Sequence, residues 1–187
     1  MIILASQSPR RRQLMGEDIT KDFKVVISNA DEHVSNHPTP LEYVKEVAKR
    51  KGEAIHQLYP HEVVLSADTI VTIDNKIIGK PKDKEDAKRI LNYLSNRTHI
   101  VITAFCIFKD DLFIEKTVNS EVTFNKLNED LIDRYIKSGS PMDKAGAYGG
   151  QDNDKFPIIK SYKGSIKNII GFPSEEILET LKENKLI

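Results

Sequence analysis

The sequence predicts an α/β fold, a mixed sheet flanked by helices, on three observations. Short apolar runs rich in β-branched residues, at 1–4, 23–27 and 63–71, alternate with segments of helical period. Most of those helical segments open on a capping signal. Residues 98–124 read as two long strands joined by a turn at Lys109-Asp110-Asp111, an antiparallel hairpin with one buried face through Ile100, Ile102, Ala104 and Cys106.

The chain has 187 residues, enough for one cored domain or two small lobes. Its 28 basic and 28 acidic residues cancel. No global basic field argues for nucleic-acid or anionic-membrane binding, so any anion site must be local. The lone cysteine, Cys106, excludes an intrachain disulfide. Met1-Ile2-Ile3-Leu4 is too short for a signal-peptide core and no long apolar span follows, so a cytoplasmic setting is expected.

Residues 1–4 read as a short buried strand. Ser8-Pro9 then starts a helix, with Ser as N-cap and Pro at the first position, running over 9–15 and ending at Gly16. Arg10, Arg11 and Arg12 crowd its first turn, the positive end of the helix dipole. Backbone N–H groups, the hydroxyls of Ser6 and Ser8, and arginine forks together suit a phosphate chain. A solvated basic turn would look the same taken alone. After the strand at 23–27, Asp31-Glu32 offers a carboxylate pair, a common position for a metal ligand and also for a plain polar loop.

Pro38 and Pro40 mark the next loop, and Thr39-Pro40-Leu41-Glu42 forms a capping box for a helix ending near His56. Its apolar stripe is Leu41, Val44, Val47, Ala48 and Ile55. Lys51 falls on that stripe, either snorkelling to solvent or holding an ammonium at a site edge. Asp68 interrupts the apolar strand 63–71, where a bare carboxylate is costly, so it should face a cleft with a cation or hydrogen bonds. Asp74-Asn75 predicts a two-residue hairpin turn into Lys76-Ile77-Ile78. Gly79-Lys80-Pro81 places a point charge after the strand. Asp83 caps a helix with core face Ala87, Ile90, Leu91 and Leu94, and Asn128 caps another with Leu131, Ile132, Tyr135 and Ile136, ended by Gly139.

Residues 140–151 are glycine-rich, hold the Asp143-Lys144 pair and end on the amide of Gln151. They look too small-residued to build a core and suited to wrapping a ligand. Residues 158–160 and 165–170 read as short strands around Lys163-Gly164. Gly171-Phe172-Pro173 leads into a last helix from Ser174.

Five motifs now stand in order: Leu4-Ala5-Ser6-Gln7-Ser8-Pro9-Arg10-Arg11, Ala67-Asp68-Thr69, Gly79-Lys80-Pro81, Asp143-Lys144-Ala145-Gly146-Ala147-Tyr148-Gly149 with Gln151, and Gly171-Phe172-Pro173. Together, across nearly the whole chain, they resemble the Maf family. The resemblance implies an elongated, inosine triphosphatase-like α/β fold, one Maf-like domain over 1–187 with room for two lobes around a central cleft. It implies a nucleoside triphosphate pyrophosphatase that releases a nucleoside monophosphate and pyrophosphate. A divalent metal, homodimers, a cytoplasmic location and a link to septum formation come with it. Asp68 matches the family's catalytic base, and Arg10, Thr69 and Gln151 match its specificity positions. The Arg–Thr–Gln combination looks like the branch acting on dTTP and UTP. Departures from the family pattern are Gly150 for a large aliphatic residue, Asp152 for a frequent glycine and Phe172 for leucine.

For such chemistry Arg10, Arg11, Lys51, Lys80 and Mg²⁺ or Mn²⁺ would neutralise the triphosphate, with Lys144 beside the substrate. Glu32 and Asp68 are the candidate metal ligands. Asp68 would position or deprotonate the water, and Gln151 would read the imide edge of thymine or uracil. The competing readings are a non-catalytic nucleotide-binding regulator of division and a pyrophosphatase for deaminated purines, ITP or XTP.

Overall fold

The computed structural model describes residues 1–36 and 39–187, so Pro38 lies outside the described residues. Seven strands form one mixed sheet: β1 (Ile2–Leu4), β2 (Phe23–Val25), β3 (Val63–Ile73), β4 (Lys76–Ile78), β5 (Thr98–Lys109), β6 (Leu112–Phe124) and β7 (Ile159–Lys163). The order is β2-β1-β3-β5-β6-β7, with β4 beside β3. β1 runs parallel to both neighbours, Ile2 lying opposite Phe23 and Val63. β3 with β4 and β6 with β7 are antiparallel. The chain divides into two compact units, and β3, β5 and β6 contribute residues to both.

The first unit comprises Met1–Thr69, Thr103–Val118 and Gly171–Ile187. Ser8 caps helix α1 (Pro9–Leu14), its hydroxyl oxygen accepting from the Arg11 N–H. Gly16 does not end the helix as expected. The chain continues through a π-helical turn, Met15–Ile19, closed by Thr20 N–H on the Met15 carbonyl. Gly16 is not among the residues with positive φ, so it forms no left-handed cap, and Met15 is buried as the turn packs inward.

Helix α2 (Pro40–His56) is capped by Thr39, which accepts from Glu42 N–H at 3.2 Å. Pro40 is the buried residue of its first turn. Leu41, expected on the buried stripe, is 41% exposed. Farther along, α2 lies hard against the strands. The Ser66 hydroxyl donates to the Ala48 carbonyl at 2.7 Å. A Cβ on Gly52 would sit 2.2 Å from Phe108 Cε2 and 2.5 Å from Ser66 Oγ. Only glycine permits this approach. Cys106 is buried here, and burial pushes its thiol up to about 12, so it stays a protonated core residue. Helix α6 (Ser174–Glu183) closes the unit with Ile177 and Leu181 buried.

The second unit comprises Ile70–Ile102 and Asn119–Ile170. The β3–β4 hairpin turns at Asp74 and Asn75 with φ of 52° and 57°, the left-handed pair that a two-residue turn requires. Helices α3 (Lys84–Leu94) and α4 (Glu129–Lys137) bury the expected faces, and Gly139 follows α4 at φ 77°. Three expectations are corrected in this unit. Ile102, Ala104 and Cys106 are buried as expected, but Ile100 is 39% exposed, and from Val101 to Phe108 the residues of both parities are buried, so β5 has two buried faces and not one. Residues 165–170 form a helix, α5 (Ile166–Ile170), not a strand. Ser165 Oγ accepts from Asn168 N–H, and Asn168 is buried with its amide donating to the Val101 carbonyl and to Ser120 Oγ. A short apolar run satisfies either period, and here the buried amide decides. Finally, the glycine-rich stretch does build core. It folds as three 3₁₀ turns, Ser140–Asp143, Ala145–Ala147 and Gly150–Asp152, with Ala147 and Tyr148 buried. Tyr148 packs edge-on against Phe124 and His99, and one aromatic ring offsets the small residues around it.

Candidate functional site

In the first unit, β3 carries Asp68 and Thr69 side by side, and α2 delivers Lys51 to them. The tight contact at Gly52 brings the helix close enough for the neighbouring lysine to reach the strand. Lys51 Nζ lies 2.9 Å from Asp68 Oδ1 and 3.2 Å from Glu32 Oε2. The Lys51 and Asp68 side chains are 13% and 16% exposed, whereas Glu32 is 51% exposed. The ammonium therefore does not snorkel away. It joins two carboxylates that stand 36 positions apart in the chain, Glu32 and Asp68. Asp68 sits within the strand, and Lys51 is the cation that offsets its desolvation.

Tyr43, also on α2, was not singled out from the sequence. Burial raises its phenol above the ordinary value, and the negative charges of Asp68 and Glu32 add to that. Its position one turn into a helix that also carries Lys51 was the available signal.

Arg11 has a different place from the one expected. Its guanidinium donates from Nε to the Gly171 carbonyl (2.9 Å), from Nη1 to the Ala67 carbonyl (2.6 Å) and from Nη2 to Thr69 Oγ1 (3.1 Å). The fork therefore grips the residues on either side of Asp68. Burial lowers its pKa from the ordinary value, opposed by Asp68, but a guanidinium stays cationic. Thr69 Oγ1 also meets Thr103 Oγ1 at 2.9 Å and the Gly171 carbonyl at 3.2 Å. Thr103 and the Gly171 carbonyl were likewise missed, because backbone acceptors and cross-strand hydroxyls carry no sequence signal. Gly171 has φ of 111°, which turns its carbonyl toward both donors. Ser6 Oγ accepts from Ser8 N–H and Ser8 Oγ from Arg11 N–H, so both hydroxyls shape the turn into α1. Arg10 is half-buried beside them.

In the second unit, exposed Lys80 follows β4, and the Gly79 carbonyl accepts from Gly146 N–H at 3.1 Å. That bond ties the strand end to the glycine-rich stretch. Lys144, expected beside substrate, is buried instead. Its ammonium donates to the Ser140 carbonyl (2.5 Å), Ser140 Oγ (3.1 Å) and Asp143 Oδ1 (2.9 Å), so its three donors brace their own loop. Gln151 is exposed on the last 3₁₀ turn.

Among the described residues no group of three or more His, Cys, Asp or Glu is placed to hold a metal. The Glu32–Asp68 pair supplies two hard oxygen donors already converging on one cation, the Lys51 ammonium. Among the described residues no helix is long and apolar enough to cross a membrane.

The Maf-like protein family model matches residues 1–184. A dTTP/UTP pyrophosphatase of Acholeplasma laidlawii is 41% identical, the match covering 100% of this chain and 98% of that one. The dTTP/UTP pyrophosphatase of Thermococcus onnurineus is 43% identical over 94% of this chain and 93% of its own, and that of Latilactobacillus sakei 39% over 97% and 99%. A solved nucleoside-triphosphatase/dITP/XTP pyrophosphatase of Mycobacterium abscessus superposes with a TM-score of 0.49 at 11% identity over 99% of this chain and 96% of its own, too distant a likeness to support an inference. On the family model and these full-length relatives, the chain belongs to the Maf family.

Proposed function

We propose that this protein hydrolyses dTTP and UTP between the α- and β-phosphates, releasing the nucleoside monophosphate and pyrophosphate. The observation that carries the reading is the Lys51–Asp68 pair at 2.9 Å on a strand whose residues, Asp68 and Thr69 apart, are buried. The full-length relatives, dTTP/UTP pyrophosphatases by name, support the same reading.

Water attacks the α-phosphorus, its oxygen forms the new P–O bond, and the bond to the bridging oxygen breaks to release pyrophosphate. Asp68 orients that water and accepts its proton. Lys51 fixes the carboxylate and supplies positive charge, and Arg10 and Lys80 add charge against the triphosphate. Arg11 acts through the backbone: it holds Ala67 and Thr69, and so sets the aim of Asp68 between them. Gln151 reads the base, since an amide can donate to a pyrimidine carbonyl and accept from N3–H.

A divalent cation, Mg²⁺ or Mn²⁺, fits Glu32 and Asp68, because such ions take one or two carboxylates and complete their shell with water and phosphate oxygens. When bound it would neutralise phosphate charge. Assembly as a homodimer and a cytoplasmic setting belong to the same reading, the first tested by sedimentation.

Initial rates on dTTP, UTP, CTP, GTP, ITP and XTP, with pyrophosphate detected directly, test the proposal. The expected result is cleavage of dTTP and UTP about ten- to a hundredfold better than CTP, lost with EDTA and restored by Mg²⁺ or Mn²⁺. A best rate on ITP or XTP overturns the pyrimidine assignment. Tight nucleotide binding with no turnover overturns the enzyme reading in favour of a regulator.

A further inference from the structure

Gln151 is exposed, yet a residue that reads a base must hold its amide in one place. The second unit contains the parts for this. A Cβ built on Gly149 would lie 2.8 Å from Gln151 Oε1, 2.9 Å from its Cδ and 2.7 Å from Lys144 Cε. The Gln151 amide and the Lys144 stem therefore rest on the bare Cα of Gly149. Where Gly149 goes, the amide follows.

Gly149 is held at both ends, by Asp152 directly and by Tyr135, whose hydroxyl is itself bound to Asp152. Its carbonyl accepts from Asp152 N–H at 3.0 Å. Its N–H donates to the Tyr135 hydroxyl at 3.0 Å, and that hydroxyl donates to Asp152 Oδ2 at 2.7 Å. The same carboxylate oxygen accepts from Ser140 Oγ at 2.7 Å, and Ser140 Oγ accepts from Lys144 Nζ at 3.1 Å. Burial and the Asp152 charge push the Tyr135 phenol well above its ordinary range, so it keeps the proton it donates. Asp152 stands next to Gln151 and does not itself face the base-reading role. Its carboxylate is committed to Tyr135 and Ser140.

We infer that Asp152, acting through Tyr135 and Gly149, is a positioning residue that sets the Gln151 amide and thereby the base selectivity of the chain. The inference rests on the proposed function for its kinetic consequence. The relay depends on a carboxylate at position 152. A chain with glycine there would leave the Tyr135 hydroxyl and Ser140 without this acceptor, so the hydroxyl that receives the Gly149 N–H would lose the bond that orients it.

Two measurements on the intact chain test it, using wild type, Asp152→Ala, Asp152→Asn and Tyr135→Phe. The first is deuterium exchange at the Gly149 amide without nucleotide. Faster exchange is expected in Asp152→Ala and Tyr135→Phe, with Asp152→Asn close to wild type, because its amide oxygen still accepts. The second is the ratio of kcat/KM for dTTP over CTP. It should fall about tenfold in Asp152→Ala and Tyr135→Phe, mainly through a raised KM for dTTP, and recover in Asp152→Asn. Loss of folded protein cancels in this ratio, so a merely structural role would not move it. Unchanged exchange in both variants, or an unchanged ratio, overturns the inference. A wild-type chain that cuts no nucleotide overturns the functional reading first, and the Gly149 exchange then decides the relay by itself.

Discussion

Lys51 and Lys144 are both lysines drawn into the protein and both meet carboxylates, but their partners differ in kind. Lys144 binds Ser140 and Asp143, neighbours within one turn of chain, and all three of its donors are taken. Lys51 binds Glu32 and Asp68, which come from separate segments of the chain. An ammonium saturated by its own loop stabilises that loop and has nothing left for a ligand. An ammonium between two distant carboxylates assembles a charged cluster that a phosphate or a metal ion can rearrange. Burial alone does not distinguish the two, and the sequence distance of the partners does.

The strongest way to break this contrast is Asp68→Asn. Turnover should fall by about 10²–10⁴-fold while nucleotide binding persists, measured by single-turnover rates and by equilibrium binding. A folded variant with near wild-type rate would remove Asp68 from the chemistry. Lys51→Met keeps the stem and deletes the charge, and should cost about 10²-fold in kcat/KM with little change in Tm. Normal kinetics with a lowered Tm would place Lys51 in the same structural class as Lys144.

A pH experiment probes the unit that holds Lys144. Burial lowers the His99 pKa from 6.5 to about 4. Tyr148 is pushed upward by burial and keeps its proton, and its hydroxyl meets His99 Nε2 at 2.6 Å. The other ring nitrogen, Nδ1, is buried with no partner among the described residues, so nothing compensates a second ring proton. The unfolded chain therefore binds a proton that the native chain refuses. Stability is full above about pH 6.5 and is lost as pH falls toward 4, by up to about 3 kcal/mol. Urea midpoints at pH 7 and pH 5 should separate in wild type and converge in His99→Gln. Equal separation in both would locate the acid sensitivity elsewhere.

Lys144→Met should complement Lys51→Met. Taking the ammonium from the Ser140 carbonyl should cost about 1–3 kcal/mol, read from denaturant midpoints. A stable variant that has lost only activity would reverse the assignment. An effect of similar size is expected on the scaffold. Gly52→Ala forces a Cβ to within 2.2 Å of Phe108, and the strain should lower stability by about 1–3 kcal/mol and weaken the Lys51 contact. Unchanged Tm and kinetics would mean the ring moves aside freely.

Local chemistry made much of this molecule legible in its sequence. Ser8-Pro9, Thr39-Pro40, Asp83 and Asn128 announce helix starts because the cap bonds lie within three residues. Asp74-Asn75 announces its turn because few residues accept two successive positive φ values. The five motifs, taken in order, carry the family. Residues 165–170 were illegible as a helix because a run of isoleucines fits two periods, and the buried Asn168 that decides has partners at positions 101 and 120. Gly16 looked like a stop because glycine often ends helices, but the packing of Met15 inward carries the chain past it.

The sequence by itself determined the capped helices, the hairpin turns, the family and the identity of the chemically able side chains, since each follows from interactions a few residues long or from motifs in order. Only the tertiary structure decided what those side chains are bound to. Arg11 and Lys144 looked like phosphate ligands because charge is visible in a sequence. In the fold three N–H groups of Arg11 go to Gly171, Ala67 and Thr69 and the Lys144 ammonium to Ser140 and Asp143, mostly carbonyls and hydroxyls of a kind that nearly every segment possesses and that only folding selects. A buried cation must satisfy its donors with whatever the fold brings within about 3 Å, and that distance is a property of packing.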